Sequence, residues 1–155
     1  MKIKSLTIYC SASQKLDKKF YQLAKETAEI ISNYQIKVIY GGGNVGLMGI
    51  IAKTLADLER EVIGIIPKFL IKKEKGSLKI TQLKIVPNMS KRKEYLFKLG
   101  DAFLILPGGT GTLEEAIEVL SWKMLKLHNK PIIFLNFDNY WSPLIKQYEK
   151  IIKNK

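Results

Sequence analysis

The sequence has one cysteine and one histidine, and it contains no long apolar run. The lone cysteine, Cys10, excludes an internal disulfide framework, and no group of residues has the spacing of metal ligands. No apolar stretch approaches the roughly 20 residues that a membrane-spanning helix needs. The beginning of the chain also lacks the pattern of a signal peptide. We therefore expect a cytoplasmic protein with no bound metal and no membrane partner.

Acidic residues are scarce relative to basic ones, with 14 Asp and Glu against 26 Lys and Arg and a net charge of +12. An excess of this size can indicate binding to nucleic acid. However, nearly all the basic residues are lysines spread along the whole chain, which is typical of solvated surfaces. We therefore expect no nucleic-acid partner. The two arginines, Arg60 and Arg92, are notable because a guanidinium can bind an anion through two parallel hydrogen bonds.

Apolar segments that resemble strands alternate with segments of helical periodicity along the 155 residues. The predicted strands are 6–10, 38–40, 62–66, 83–86, 102–106 and 132–135. This alternation predicts an α/β protein with one domain over 1–155. The expected architecture is a Rossmann-like three-layer sandwich, with a mostly parallel sheet covered by helices on both faces. Loops at Ser11, Gly41 and Gly108 should then meet at the carboxyl edge of the sheet.

Three of the predicted helices have recognisable starts. Asp17 is expected to cap the first helix and Ser90 the helix that ends near Leu99. A long helix is expected from Leu113 to about Lys126.

The segment 107–115, Pro-Gly-Gly-Thr-Gly-Thr-Leu-Glu-Glu, lies between a predicted strand and this long helix. Its glycines allow the backbone to approach a ligand closely, and the first amides of the helix favour an anion such as phosphate. A simpler interpretation is a plain strand-to-helix turn. In that case Thr112 is the N-cap, and Glu115 completes a capping box with it.

A second glycine loop follows the second predicted strand. Gly41, Gly43 and Gly46 match the dinucleotide fingerprint Gly-x-Gly-x-x-Gly. The fingerprint also requires an acidic residue at the end of the next strand, whereas Glu61 lies at the beginning of that strand. NAD(P) binding is therefore the weaker alternative, and the glycines are also explained by close packing of a helix on the sheet.

Several motifs together resemble the LOG ("lonely guy") family of cytokinin-activating phosphoribohydrolases, which are often mislabelled as lysine decarboxylases. The segment 107–115 resembles the family signature Pro-Gly-Gly-x-Gly-Thr-x-x-Glu. Further matches, in the same order and over nearly the whole chain, are 40–49, 62–68, 89–93, 121–122 and 128–131.

The resemblance implies hydrolysis of the N-glycosidic bond of AMP or an N6-substituted adenosine 5′-monophosphate, releasing the free base and ribose 5-phosphate. It implies a homodimer and neither a metal nor a redox cofactor. The family pattern assigns catalysis to Arg92 and Glu115. The other residues implied to bind substrate are Met89, Lys93, Gly108, Gly109, Thr110, Gly111, Thr112, Glu114, Gly43 and Glu74.

Two features depart from the family pattern. Ser90 occupies a position where the family often has histidine, and the chain ends soon after Ile152, where relatives usually continue. A protein of the same fold that binds a nucleotide or phosphorylated cofactor without cleaving it is therefore the alternative. An amino-acid decarboxylase would need pyridoxal phosphate on a lysine, and no lysine lies in a recognisable context for it.

Overall fold

The structure, a computed structural model, describes residues 2–72 and 80–154. The strands are Ser5–Tyr9 (β1), Lys37–Tyr40 (β2), Val62–Pro67 (β3), Gln82–Val86 (β4), Ala102–Ile105 (β5) and Ile132–Phe134 (β6). The helices are Lys18–Ser32 (α1), Gly46–Asp57 (α2), Met89–Leu99 (α3), Thr110–Met124 (α4) and Ser142–Lys153 (α5). Short 3₁₀ turns, Lys68–Leu70 and Phe137–Asn139, follow β3 and β6. Every strand predicted from an apolar run is present.

The strands form one sheet in the order β4-β3-β2-β1-β5-β6, and every neighbouring pair is parallel. In the middle of the sheet, Thr7 of β1 lies opposite Ile39 of β2 and Phe103 of β5. The chain leaves β1 toward β2 and later crosses from β4 to the other side of β1. The loops after β1 and β5 therefore diverge and leave a crevice at the carboxyl edge of the sheet. The predicted Rossmann-like α/β fold is confirmed.

Helices cover both faces of the sheet, because side chains along each strand point alternately to two apolar clusters. Leu6 and Ile8 of β1 belong to the cluster formed with α1 and α2. Tyr9 belongs to the opposite cluster, formed with α3, α4 and Trp141 at the start of α5. Both faces of the sheet are therefore covered by a packed apolar layer.

The N-cap of α1 agrees with the prediction from the sequence, whereas the N-cap of α3 does not. The Asp17 carboxylate accepts a hydrogen bond from the Lys19 amide at 3.1 Å, so Asp17 caps α1 as predicted. The prediction that Ser90 caps α3 is wrong. That helix begins at Met89, and the Asn88 side chain accepts from the Lys91 amide at 2.9 Å. Asparagine and serine are about equally good N-caps, so residue type alone could not choose between them.

Helix α4 begins at Thr110 rather than at the predicted Leu113, and Gly109 is its N-cap. Thr112 is therefore the third residue of the helix, and its buried side chain packs against Gly108. A Cβ added to Gly108 would lie 2.1 Å from Thr112 Oγ1. The interpretation of Thr112 as N-cap, with Glu115 in a capping box, is thus wrong, and capping does not explain Glu115.

Within the described ranges, no helix has both the length and the apolar character needed to cross a membrane. Cys10 is a free, buried thiol at the end of β1, as expected of a small core residue. Its burial, with the nearby Glu115 carboxylate, raises the pKa of this thiol, so it stays protonated at neutral pH. We assign it no chemistry.

Candidate functional site

A cavity of about 290 Å³ lies at the carboxyl edge of the sheet, in the crevice between β1 and β5. Its volume is close to the lower end of the range for ligand pockets, roughly 300–1,000 Å³. It is lined by the end of β1 and its loop, by the loop after β2, and by the starts of α2, α3 and α4. The lining residues are Ile8, Tyr9, Cys10, Ser11, Ala12, Ser13, Gly41, Met48, Met89, Arg92, Gly109, Thr110, Gly111, Thr112, Glu114 and Glu115.

The start of α4 supplies backbone donors to this cavity. The Leu113 amide donates to the Gly109 carbonyl at 2.9 Å, closing the first turn of the helix. The amides of Gly109 to Thr112 precede that turn and have no acceptor within the helix. No side chain caps the N-terminus, and all four residues line the cavity. This end of the helix carries partial positive charge and suits an anionic group.

Arg92 is the fourth residue of α3 and is buried, with 6% of its surface exposed. Its Nη2 donates to the Gly41 carbonyl at 3.2 Å, and its Nη1 lies 3.9 Å from Met89 Sδ. Its Nε is buried and has no hydrogen-bond partner among the described residues. A guanidinium that is buried, charged and incompletely paired is costly, which favours a role in binding or catalysis.

Glu115, in the first turns of α4, lines the same cavity as Arg92. Electrostatics also place the two together at the end of β1. After burial, the Glu115 carboxylate is the largest cause that raises the pKa of Tyr9, while the Arg92 guanidinium lowers it. The same two charges act in the same opposite senses on the pKa of Cys10. The positive Arg92 and the negative Glu115 thus line the same cavity, next to the α4 amides.

Glu114 also lines the cavity, but its carboxylate forms an ion pair with Lys93, which does not line the cavity. Lys93 Nζ lies 2.6 Å from Glu114 Oε1 and 2.9 Å from Glu118 Oε1. The Glu114 and Glu118 carboxylates raise the pKa of Lys93, so its ammonium remains charged. This bridge ties α3, which carries Arg92, to α4, which carries the two glutamates.

Not all predicted substrate-binding residues lie in the cavity wall. Of those that the structure describes, Gly43, Lys93 and Gly108 are outside the lining. Gly108 is buried directly before the α4 start, and Gly43 is buried in the loop after β2. Glu74 lies outside the described residues.

The sequence did not single out Tyr9, Ala12, Ser13 or Met48, which also line the cavity. For Ala12 and Ser13, the available signal was the position of the 11–13 loop, which the predicted topology places at the carboxyl edge. Met48 lies within the matched segment 40–49. Strand direction identifies such a loop, but it does not say which of its side chains face the ligand.

Backbone atoms of the loop after β1 occupy the space next to the second glycine loop, residues 41–46. The Leu47 and Met48 amides at the start of α2 donate to the Ser11 carbonyl at 2.9 and 3.4 Å. A Cβ on Gly46, which has φ of +60°, would lie 2.6 Å from Ala12 backbone carbon. A Cβ on Gly41 would lie 2.1 Å from Arg92 Nη2. These glycines thus serve close packing, and the α2 amides that a pyrophosphate would need are already bound.

The described part of the chain holds no group of three or more His, Cys, Asp or Glu residues arranged to bind a metal ion. No described lysine lines the cavity, so its wall offers no amine for pyridoxal phosphate. The single histidine, His128, follows α4 and has a structural role. Its Nδ1 accepts from the Lys130 amide at 3.1 Å, and its Nε2 lies 2.9 Å from the Val119 carbonyl.

Solved structures similar to this fold include the molybdenum cofactor carrier protein of Chlamydomonas reinhardtii. It has a TM-score of 0.70 and 16% identity, with 86% of this chain and 76% of that chain covered. The molybdenum cofactor binding protein of Rippkaea orientalis has a TM-score of 0.69 and 21% identity, with 97% and 86% covered. At such identities the similarity shows a shared fold only.

Curated proteins found by sequence similarity have higher identity to this chain than these solved structures do. The family described as "Possible lysine decarboxylase" matches residues 48–155. The chain is 42% identical over 147 residues to the cytokinin riboside 5′-monophosphate phosphoribohydrolase of Rhodococcoides fascians, covering 94% of this chain and 74% of that protein. It is 36% identical over 152 residues to cytokinin riboside 5′-monophosphate phosphoribohydrolase LOG3 of Arabidopsis thaliana, covering 98% and 71%. The chain therefore belongs to the LOG family of cytokinin riboside 5′-monophosphate phosphoribohydrolases.

Proposed function

We propose that this protein hydrolyses the N-glycosidic bond of AMP or of an N6-substituted adenosine 5′-monophosphate, releasing the free base and ribose 5-phosphate. One observation carries the proposal: uncapped helix amides, a buried guanidinium and a carboxylate line a single cavity. The names of the curated relatives specify the same class of reaction. In this proposal the protein acts as a homodimer in the cytoplasm.

The 5′-phosphate is proposed to bind at the start of α4. Amides from Gly109 to Thr112 would donate to its oxygens, and the helix dipole would favour its charge. Neither Glu114 nor Glu115 can serve as a phosphate ligand, because like charges repel. The carboxylates would therefore face the ribose or solvent while the phosphate occupies the backbone cradle.

Cleavage of the glycosidic bond develops positive charge at C1′ of the ribose, and a nearby carboxylate stabilises that charge. We assign this role to Glu115, which would also orient the attacking water. A guanidinium is permanently charged in proteins, so Arg92 would fix the substrate or the carboxylate electrostatically rather than act as a general acid. Met89, which lines the cavity beside Arg92, would contact the base.

The remaining predicted residues have supporting roles in the proposal. Lys93 would hold Glu114 beside the ribose through the ion pair at 2.6 Å. Gly43, buried in the loop after β2, and Glu74 are assigned to substrate binding by the family pattern alone.

The direct test uses a panel of nucleoside 5′-monophosphates and the matched nucleosides without phosphate. Purified protein should release free base and ribose 5-phosphate from AMP or an N6-substituted analogue. The matched nucleosides should react at least about a hundredfold more slowly, because they cannot use the α4 amides. Chromatography of the free base measures both rates. Tight nucleotide binding with no product over hours would instead support the non-catalytic alternative.

The Gly111→Ala variant tests the phosphate cradle separately from folding. A Cβ at Gly111 meets no atom within 4 Å, so the methyl group is accommodated, and alanine favours a helix more than glycine does. We expect unchanged or higher thermal stability and a KM for the nucleotide raised at least about tenfold, because the methyl group obstructs close approach of the phosphate.

Gly108→Ala is the matched control for that variant. Its Cβ would lie 2.1 Å from Thr112 Oγ1, so the same chemical change should lower the melting temperature. A wild-type KM in stable Gly111→Ala protein would show that the phosphate does not bind at this helix start.

A further inference from the structure

The turn between β6 and α5 has an unusual backbone. Asp138 and Asn139 are consecutive non-glycine residues with φ of 52° and 56°. The left-handed region is unfavourable for residues with a Cβ, although Asp and Asn tolerate it best. Such strain persists only where surrounding contacts impose it, and it is concentrated at functional positions.

Side-chain hydrogen bonds impose this conformation. The Asn136 Oδ1 accepts from the Trp141 amide at 2.7 Å, and its Nδ2 donates to Ser142 Oγ at 3.1 Å. Ser142 Oγ in turn donates to Asn139 Oδ1 at 3.2 Å. The turn is therefore closed across the start of α5.

Packing against α1 fixes the same turn from the other side. Asp138 forms an ion pair with Lys19 at the beginning of α1. The Phe20 ring makes edge contacts with Phe137 and Tyr140, at centroid distances of 6.0 and 5.8 Å. The position of Tyr140 is therefore set by elements outside the α4 loop.

Tyr140 extends from this turn to the glycine loop before α4. Its hydroxyl donates to the Gly108 carbonyl at 2.7 Å, across 32 residues of sequence. The Gly108 carbonyl and the Gly109 amide belong to one planar trans peptide, so they point in opposite directions. A carbonyl held by Tyr140 therefore fixes the direction of the Gly109 amide, and Gly109 lines the cavity.

The Gly108–Gly109 peptide needs such a restraint. Glycine imposes little steric preference on the backbone, and a Cβ at Gly109 would meet no atom within 4 Å. No side chain caps α4 at Gly109 either. A hydrogen bond to the carbonyl also polarises the amide of the same peptide, which strengthens it as a donor.

We propose that Tyr140 is a positioning residue, which holds the Gly108–Gly109 peptide so that the first amide of the α4 cradle faces the sugar-phosphate. The inference rests on the proposed function and deepens it. It assigns the turn at 136–142, outside the cavity wall, to recognition of the 5′-phosphate.

The test compares Tyr140→Phe with Tyr148→Phe, the same change at a partly buried tyrosine in α5. Phenylalanine at position 140 retains the ring that packs on Phe20, so the variant should fold. Calorimetry measures Kd for ribose 5-phosphate and for adenine, and steady-state assays separate KM from kcat. We expect Tyr140→Phe to raise KM and the ribose 5-phosphate Kd about five- to tenfold, with kcat and the adenine Kd changed less than about twofold.

Tyr148→Phe should match wild type in all four quantities. An unchanged ribose 5-phosphate Kd in Tyr140→Phe, or equal weakening of adenine binding, would overturn the positioning role while leaving the proposed function intact. Wild-type protein that neither releases base nor binds ribose 5-phosphate would overturn the proposed function and this inference together. A fall in melting temperature without a selective loss of ribose 5-phosphate binding would show that Tyr140 is merely structural.

Discussion

Replacing Arg92 with methionine is expected to lower kcat for nucleotide hydrolysis at least about a hundredfold, because a positioned charge in a water-poor site contributes several kcal/mol to transition-state stability. The fold should survive. Arg92 is buried, with 6% of its surface exposed, and its Nε has no described partner. A methionine fills similar space without a buried charge. Thermal unfolding and base release, measured on the same preparation, check both statements.

The other arginine of the chain gives a matched control. Arg60 lies exposed in the turn before β3, so Arg60→Met removes the same charge far from the cavity. This variant should retain wild-type kcat, which excludes an effect of net charge alone. An Arg92→Met protein that folds and retains more than about a tenth of wild-type turnover would remove Arg92 from catalysis.

Arg92→Lys separates charge from shape. Lysine keeps the positive charge but lacks the planar fork that reaches both the Gly41 carbonyl and the cavity. We expect its kcat to remain closer to that of Arg92→Met than to wild type.

Much of the fold followed from the sequence because the strands of a doubly covered sheet are continuous apolar runs. Segments such as 62–66 and 102–106 are short, continuous apolar runs, which are typical of buried strands. Once strands and helices alternate, the strands run parallel, and the loops that follow them lie at one edge of the sheet. The convergence of the loops at Ser11, Gly41 and the α4 start was therefore predictable without any side-chain detail.

Helix starts were less predictable, because tertiary contacts decide between equally suitable caps. Thr112 has the chemistry of an N-cap, yet its side chain is buried against Gly108, and the uncapped Gly109 begins the helix. The error mattered for function. It placed the open amides three residues too late and assigned Glu115 a capping role that it does not have.

The directions of the side chains were also not predictable from the sequence pattern. Arg92 and Lys93 are adjacent, but successive helix positions differ by about 100°, so one faces the cavity and the other bridges to α4. The glycines at 41 and 46 matched a dinucleotide fingerprint, whereas in the structure they make room for Arg92 and for the loop after β1. Pattern alone could not identify what each glycine accommodates.

The same geometric argument separates the two adjacent glutamates. Glu115→Gln is expected to lower kcat at least about a hundredfold with KM changed only a few-fold, because the neutral amide cannot stabilise positive charge at C1′. The amide has nearly the shape of the carboxylate, so the melting temperature should stay close to wild type. Base release and thermal unfolding measure the two effects.

Glu114→Gln is the matched control, one residue away on the same helix. The Glu114 side chain is 54% exposed and its carboxylate is held by Lys93 at 2.6 Å, so its charge is largely neutralised by an ion pair outside the cavity. We expect its kcat to fall less than about tenfold, since exposed ion pairs contribute little. A larger loss in Glu114→Gln than in Glu115→Gln would reverse the two roles. In that case the carboxylate that works on the ribose would be the one that Lys93 orients, and the bridge between α3 and α4 would itself belong to the catalytic machinery.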